Sequence, residues 1–117
     1  MRPKTIILDI DGTLIWHHGD QQTAITPSKV LAGTHEKLNE WDGKGYNIIL
    51  ITGRKESLRE HTEAELLSLG IFWDQLIMGV GGGQRVLIND LKPDPKHGPT
   101  AVAIQLERNK GIRDLEI

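Results

Sequence analysis

Asp9 and Asp11 stand two residues apart, directly after the unbroken apolar run Thr5-Ile6-Ile7-Leu8. Alternation along an extended chain sends two such carboxylates to one side, and Gly12 lets the backbone turn away behind them. Two carboxylates this close repel unless a cation lies between them. Asp90 follows a later apolar run, Arg85-Val86-Leu87-Ile88, and is the natural third acid. A site built from a few oxygen ligands suits magnesium, which keeps several of its waters and commonly binds substrate phosphate as well. The Asp-x-Asp spacing by itself fits a turn or a cap equally well, so the elements around it decide.

The apolar run at 5–8 reads as a strand buried on both faces. Thr26-Pro27-Ser28 reads as a helix start, with Thr26 as N-cap and Pro27 at the first helical position. Leu31, Thr34, Leu38 and Trp41 then share one helical face, which makes Trp41 a core residue. Tyr46 to Ile51 is a second buried strand, ending at Thr52-Gly53-Arg54. A second helix is expected over 56–69, with Leu58, Thr62, Leu66 and Leu69 on one face. Leu76-Ile77-Met78, Arg85 to Ile88 and Ala101 to Leu106 are expected as third, fourth and fifth strands. Strands alternating with amphipathic helices imply a parallel sheet in a three-layer α/β fold. In such folds ligands sit beyond the carboxyl ends of the strands, where Asp9, Asp11, Thr52, Asn89 and Asp90 would converge.

Asp9-Ile10-Asp11-Gly12-Thr13 after one strand, Thr52-Gly53-Arg54 after the next and an acid after a later strand resemble the haloacid dehalogenase (HAD) superfamily of phosphohydrolases. The resemblance covers roughly residues 4–106. It implies a Rossmann-like, HAD-like fold of about five parallel strands. It makes Asp9 the nucleophile that attacks phosphorus and Asp11 the general acid/base. Thr52 would hydrogen-bond the transferred phosphoryl group, with Gly53 beside it, and Asp9, Asp11 and Asp90 would hold Mg2+. The chemistry agrees. A carboxylate attacks a phosphoryl group once charge repulsion is neutralised. An acid two residues away can protonate the leaving oxygen and then activate water against an aspartyl-phosphate. The backbone N–H groups of Ile10 to Thr13 are placed to donate to the equatorial oxygens.

Two departures from the family pattern stand out. The family carries a Lys between the Thr motif and the last acid, whereas the sole cation between Gly70 and Asp90 is Arg85, with Lys92 just beyond. Many short members read Asp-Asp where this chain reads Asn89-Asp90, so either residue is a candidate ligand, and Asp90 is preferred. Residues 14–26 fall where the family places a flap over the acid pair, which sets Trp16, His17 and His18 against the substrate leaving group. The gaps after Thr13 and after the second strand are too short for a cap domain, so the site is expected to be open unless a homo-oligomer partner covers it. Gly79-Val80-Gly81-Gly82-Gly83 lacks the Lys-Ser/Thr of a P-loop and precedes an apparent strand, so it reads as a loop beside the site.

The 117 residues amount to one domain, 1–106, with a charged tail at 107–117 that is expected to be partly disordered. A formal charge of −2 argues against a nucleic-acid partner that relies on net charge. The absence of cysteine excludes disulfides and cysteine catalysis. No apolar run approaches a membrane span, and the N-terminus lacks a signal-peptide core, so a cytoplasmic protein is expected. The expected function is magnesium-dependent hydrolysis of a small phosphorylated metabolite or sugar phosphate. Two other readings remain open: a HAD-like domain that binds without turnover, as the missing Lys permits, and a phosphoacceptor signalling domain. The latter needs an acceptor Asp at a middle strand end, where this chain has Thr52 and Met78-Gly79.

Overall fold

The computed structural model describes residues 2–18 and 28–117. Its order is β1 (Thr5–Asp9), α1 (Thr34–Gly43), β2 (Asn47–Ile51), α2 (Arg59–Ser68) and β3 (Gln75–Ile77). Short 3-10 turns at Glu56–Leu58 and Pro95–His97 complete the regular structure. The three strands are parallel in the order β1-β2-β3, with Leu8 beside Leu50 and Leu50 beside Leu76. Asp74 holds the start of β2 in place: its carboxylate accepts the Ile48 N–H at 2.7 Å, and its own N–H donates to the Ile48 carbonyl at 2.8 Å.

Right-handed crossovers between strands laid down in sequential order put both helices on the same face of the sheet. The burial pattern agrees. Ile6, Leu8, Ile48, Leu50 and Leu76, on one face, share a core with Leu38 and Trp41 of α1 and Leu66 of α2. The other face carries Ile7, half exposed, and Ile77, 43% exposed. Among the described residues the fold is therefore a two-layer α/β arrangement with three strands, not the expected three layers with about five. Among the described residues no helix covers the second face. The expected fourth strand (85–88) and fifth strand (101–106) carry no strand pairing and are exposed along their length. They belong to an arm, residues 81–106, that leaves the body after β3.

The start of the first helix also differs from expectation. Thr26 and Pro27 lie outside the described residues, and residues 28–33 are not helical. Here the backbone bonds elsewhere: Trp16 N–H donates to the Lys29 carbonyl and Leu31 N–H to the Leu14 carbonyl, both at 2.9 Å. This pairs the two sides of the segment that carries the presumed flap, whose tip lies outside the described residues. Helix α1 begins after Gly33, at φ +87°. Thr34, Leu38 and Trp41 are buried on it as their spacing predicts.

The charged tail packs on the body. Asn109 N–H donates to the Gly12 carbonyl at 2.8 Å, and Ile112 N–H donates to the Ala32 carbonyl at 2.9 Å. Ile112 is fully buried in the core. A Cβ on Gly33 would lie 2.2 Å from the Arg113 Cα, so the close approach of tail and helix start requires glycine there. Ile112→Ala should accordingly lower stability by about 2–4 kcal/mol in urea denaturation, the cost of emptying a closed core site. A loss below about 0.5 kcal/mol would show that the tail is not part of the core.

Candidate active site

The acid pair sits where the first strand ends and the chain must turn. Gly12, at φ +89°, makes that turn, and Ile10 beneath it is fully buried. The turn closes on itself: Gly12 N–H donates to the Ile15 carbonyl at 2.7 Å, and Thr13 and Leu14 N–H both donate to the Ile10 carbonyl. Of the expected cradle of backbone donors over 10–13, those of Gly12 and Thr13 are thus committed within the turn, and that of Ile10 faces the Asp9 carboxylate. The positive counterpart comes from the tail. Asp9, Asp11, Gly12 and Thr13 line a shallow cavity of about 150 Å³ together with Leu106 and Arg108. A larger cavity of about 350 Å³, among Leu106 to Leu115, does not reach the acids.

Burial raises the Asp9 carboxyl above the usual carboxylate range; the Arg85 charge opposes this, and the Asp11 charge adds to it. Asp11 is held by Arg54 through both oxygens, Nε to Oδ2 at 3.0 Å and Nη2 to Oδ1 at 2.8 Å. The same guanidinium reaches Glu65 of α2 at 2.7 Å and Thr62 Oγ1 at 3.2 Å. Arg54 is nearly fully buried. Burial works against its charge, but the bonds to Asp11 and then to Glu65 outweigh that and lift its pKa above the ordinary arginine value. A bidentate guanidinium–carboxylate pair fixes the plane of the acid as well as its position.

Thr52 is buried at the end of β2, and its hydroxyl oxygen accepts the Arg54 N–H at 3.1 Å. The Val80 N–H caps the Thr52 carbonyl at 2.9 Å and the Gly79 N–H caps that of Arg54 at 2.7 Å, so the glycine loop does lie beside the Thr52 motif. Gly53 is tight against this loop: a Cβ there would lie 3.2 Å from the Val80 carbonyl oxygen. Thr52 does not line the acid cavity. Arg85 acts electrostatically on Asp9, as does His17. The Asn109 side chain brackets the His17 backbone, accepting its N–H at 2.7 Å and donating to its carbonyl at 3.3 Å. The Lys29 ammonium lies 4.4 Å from the centre of the Trp16 ring. His18 is partly exposed beside them.

Asp90 and Lys92 are not brought to the pair. Both are exposed on the arm, where the Asp90 carbonyl accepts the Thr100 hydroxyl. Asn89 is exposed beside them. Among the described residues no three His, Cys, Asp or Glu side chains assemble as a metal cluster. One chain therefore fits a divalent cation in part: it offers Asp9 and an Asp11 already clamped by Arg54, and the third acid stands off. Sequence reasoning missed two residues. Arg54 was visible in Thr52-Gly53-Arg54, but its fork to Asp11 and Glu65 is a tertiary contact. Arg108 sits in the charged stretch read as a loose tail.

Residues 6–86 match the family model described as PITM 1-3, LNS2 domain. LNS2 has a HAD-like phosphatase fold. A chain in the structure of a Pnkp1/Rnl/Hen1 complex is 33% identical over 72% of this chain, with a TM-score of 0.58. A chain in the structure of a Pnkp1/Rnl/Hen1 RNA repair complex is 35% identical over 65%, with a TM-score of 0.57. This chain spans 30% and 25% of the lengths of those two chains. A structural-genomics target from Vibrio cholerae, 19% identical, shares the fold with a TM-score of 0.54, covering 80% of this chain and 85% of the target. No curated protein matches the sequence. No helix among the described residues is long and apolar enough to cross a membrane.

Arg54→Ala leaves Asp11 and Glu65 facing one desolvated gap. It should cost about 3–5 kcal/mol in a denaturant titration, the scale for removing one partner of a buried ion pair. Arg54→Lys keeps the charge and loses the fork, and should recover part of that loss. Equal stability of all three proteins would contradict the clamp.

Proposed function

The chain belongs to the LNS2-domain family and so to the HAD-like phosphatases, and on that premise we propose that it is a short, capless phosphomonoester hydrolase working through an aspartyl-phosphate on Asp9. The observation that carries this reading is the placement of Asp9 beside a clamped Asp11, in an open cavity that also holds Arg108. A carboxylate oxygen of Asp9 attacks phosphorus as the bond to the leaving oxygen breaks, and protonated Asp11 gives that oxygen its proton. Water then attacks the aspartyl-phosphate, and Asp11 takes the water's proton as the Asp9–phosphorus bond breaks. Inorganic phosphate leaves, and both acids return to their starting states. Arg54 keeps Asp11 in one plane through this exchange, while each Asp11 oxygen retains a second lone pair for the transferred proton.

HAD-like phosphatases generally use Mg2+. Asp9 and Asp11 are the donors that one chain offers it, and the ion would screen the negative charge of the phosphoryl group. Arg85 is proposed to take the place of the family Lys, since its charge already acts on Asp9. Thr52 has given its oxygen to the Arg54 N–H and retains a hydroxyl proton to donate to a phosphoryl oxygen. Trp16, His17 and His18 flank the entrance on the leaving-group side. The proposed substrates are small phosphorylated metabolites or sugar phosphates. An oligoribonucleotide with a terminal phosphate is a further candidate substrate, because one of the similar chains belongs to an RNA repair complex.

Asp9→Asn should abolish p-nitrophenyl phosphate hydrolysis with an unchanged circular dichroism spectrum. Exhaustive EDTA treatment should do the same to the native chain, reversibly on adding magnesium. A folded native protein that shows no turnover on any of these substrates would favour a binding domain, and a stable phosphoryl group left on Asp9 would favour a phosphoacceptor. Arg85→Ala should lower kcat by about two orders of magnitude, the scale of losing one preorganised charge-stabilising donor. Unchanged kcat in Arg85→Ala, with the loss appearing in Lys92→Ala, would transfer the role to Lys92.

A further inference from the structure

Among the described residues, Arg108 is the cation that lines the acid cavity, and no step of the proposed hydrolysis uses it. Its guanidinium makes no hydrogen bond or ion pair to any described residue. The acids around it are engaged elsewhere. Asp11 takes Arg54 on both oxygens, Glu107 takes Lys110 at 3.1 Å, and Asp114 takes Arg113 at 3.2 Å. We propose that Arg108 sets the specificity of the site by binding a second anionic group, a carboxylate or a second phosphate, carried on the leaving alcohol of the substrate. The reaction in this proposal rests on the phosphatase reading; the binding of the anion to Arg108 does not.

The base of this side chain is fixed while its head is open to solvent. The Asn109 N–H donates to the Gly12 carbonyl at 2.8 Å, and the Asn109 side chain brackets the His17 backbone. Ile112, a few residues on, is buried in the core. The Arg108 stem crosses directly over Gly12: a Cβ on that glycine would lie 3.2 Å from the Arg108 Cγ. The bare Cα of Gly12 therefore makes room for the stem as well as for the turn. An arginine pinned along its stem loses less conformational freedom on taking a ligand than one carried on a loose loop.

The surrounding charges select which anion it takes. Arg85 is the cation whose charge acts most on Asp9, so the phosphoryl group passing to Asp9 already has a positive neighbour. Arg108 crosses the residue that follows Asp11, the acid that serves the leaving oxygen, so its head stands on the leaving-group side. A neutral alcohol leaves this guanidinium in water. A carboxylate or phosphate matches its planar fork with two parallel charge-assisted bonds. The cavity of about 150 Å³ is small and open, and Leu106 is the apolar side chain of its lining. Sites that enclose a larger ligand begin at roughly 300 Å³ and are mostly apolar. This one therefore discriminates by charge more than by enclosed shape.

The probes are the monophosphates of straight-chain diols of two to four carbons. Each is compared with the same compound carrying a carboxylate or a second phosphate in place of its free hydroxyl. On the native chain the best charged member should show a kcat/KM about tenfold above its hydroxyl counterpart, mainly through KM, the scale of one charge-assisted pair at an open site. Arg108→Met keeps the stem over Gly12 and removes the charge, and should bring that ratio to about one. Arg108→Lys should recover part of it. A second readout needs no turnover. In calorimetry on the Asp9→Asn chain, propane-1,3-diol bisphosphate should bind about tenfold more tightly than 3-hydroxypropyl phosphate, and adding Arg108→Met should erase the difference. A native chain without the preference, or a preference that survives Arg108→Met, would overturn the assignment. If the native chain hydrolyses none of the probes, the phosphatase reading fails, and the calorimetry still decides whether Arg108 holds the second anion.

Discussion

A guanidinium that is nearly shut off from water must place its N–H groups on the protein, and Arg54 does so across three elements at once. It bonds to both oxygens of Asp11 beyond β1, to Thr62 and Glu65 on α2, and through its own backbone N–H to Thr52 at the end of β2. One buried guanidinium serves two carboxyl groups, so removing Arg54 strips both of their buried donor at once. The relative position of the first acid turn and the second helix is therefore fixed by charge, while Leu66, Leu50 and Leu8 fix it by packing. The acid/base role proposed for Asp11 requires a single orientation of its carboxyl group, and this clamp provides one.

The same economy of groups governs the turn that carries Asp9. Gly12, Thr13 and Leu14 direct their backbone donors inward and close the turn on itself. Positive charge near the acid pair comes from outside the turn, from Arg85 at the root of the arm and Arg108 in the tail. The tail reaches the site because Asn109 bonds to the Gly12 carbonyl and brackets the His17 backbone, while Ile112 is sunk in the core. An apolar anchor three residues from two polar clips makes a charged segment into a structural one.

What could be read from the sequence follows from the range of the interactions involved. Thr5 to Asp9, Asn47 to Ile51 and the buried faces of both helices were legible because a period of two or of 3.6 residues is written locally. The family pattern of Asp9, Asp11 and Thr52 was legible because strand ends bring residues of fixed spacing to one edge. The start of α1 was not, because Val30 and Leu31 pair with the segment 14–16, a contact between segments that no local period records. The apolar runs at 85–88 and 101–106 carry the composition of strands but have no strand partner among the described residues. Composition reports the capacity to pair; it does not report with what.

That gap has a common cause with the bare face of the sheet. In a sequential β-α-β-α-β path every crossover turns the same way, and both helices of this chain are consumed on one side. A three-layer fold needs further helices after β3, and residues 78–117 contain none beyond the turn at Pro95–His97. Gly79 to Gly83 and the prolines at 93, 95 and 99 suppress helix there, so the segment is suited to extended structure. An extended apolar segment cannot cover a sheet face as a helix does, but it can lengthen a sheet at its edge.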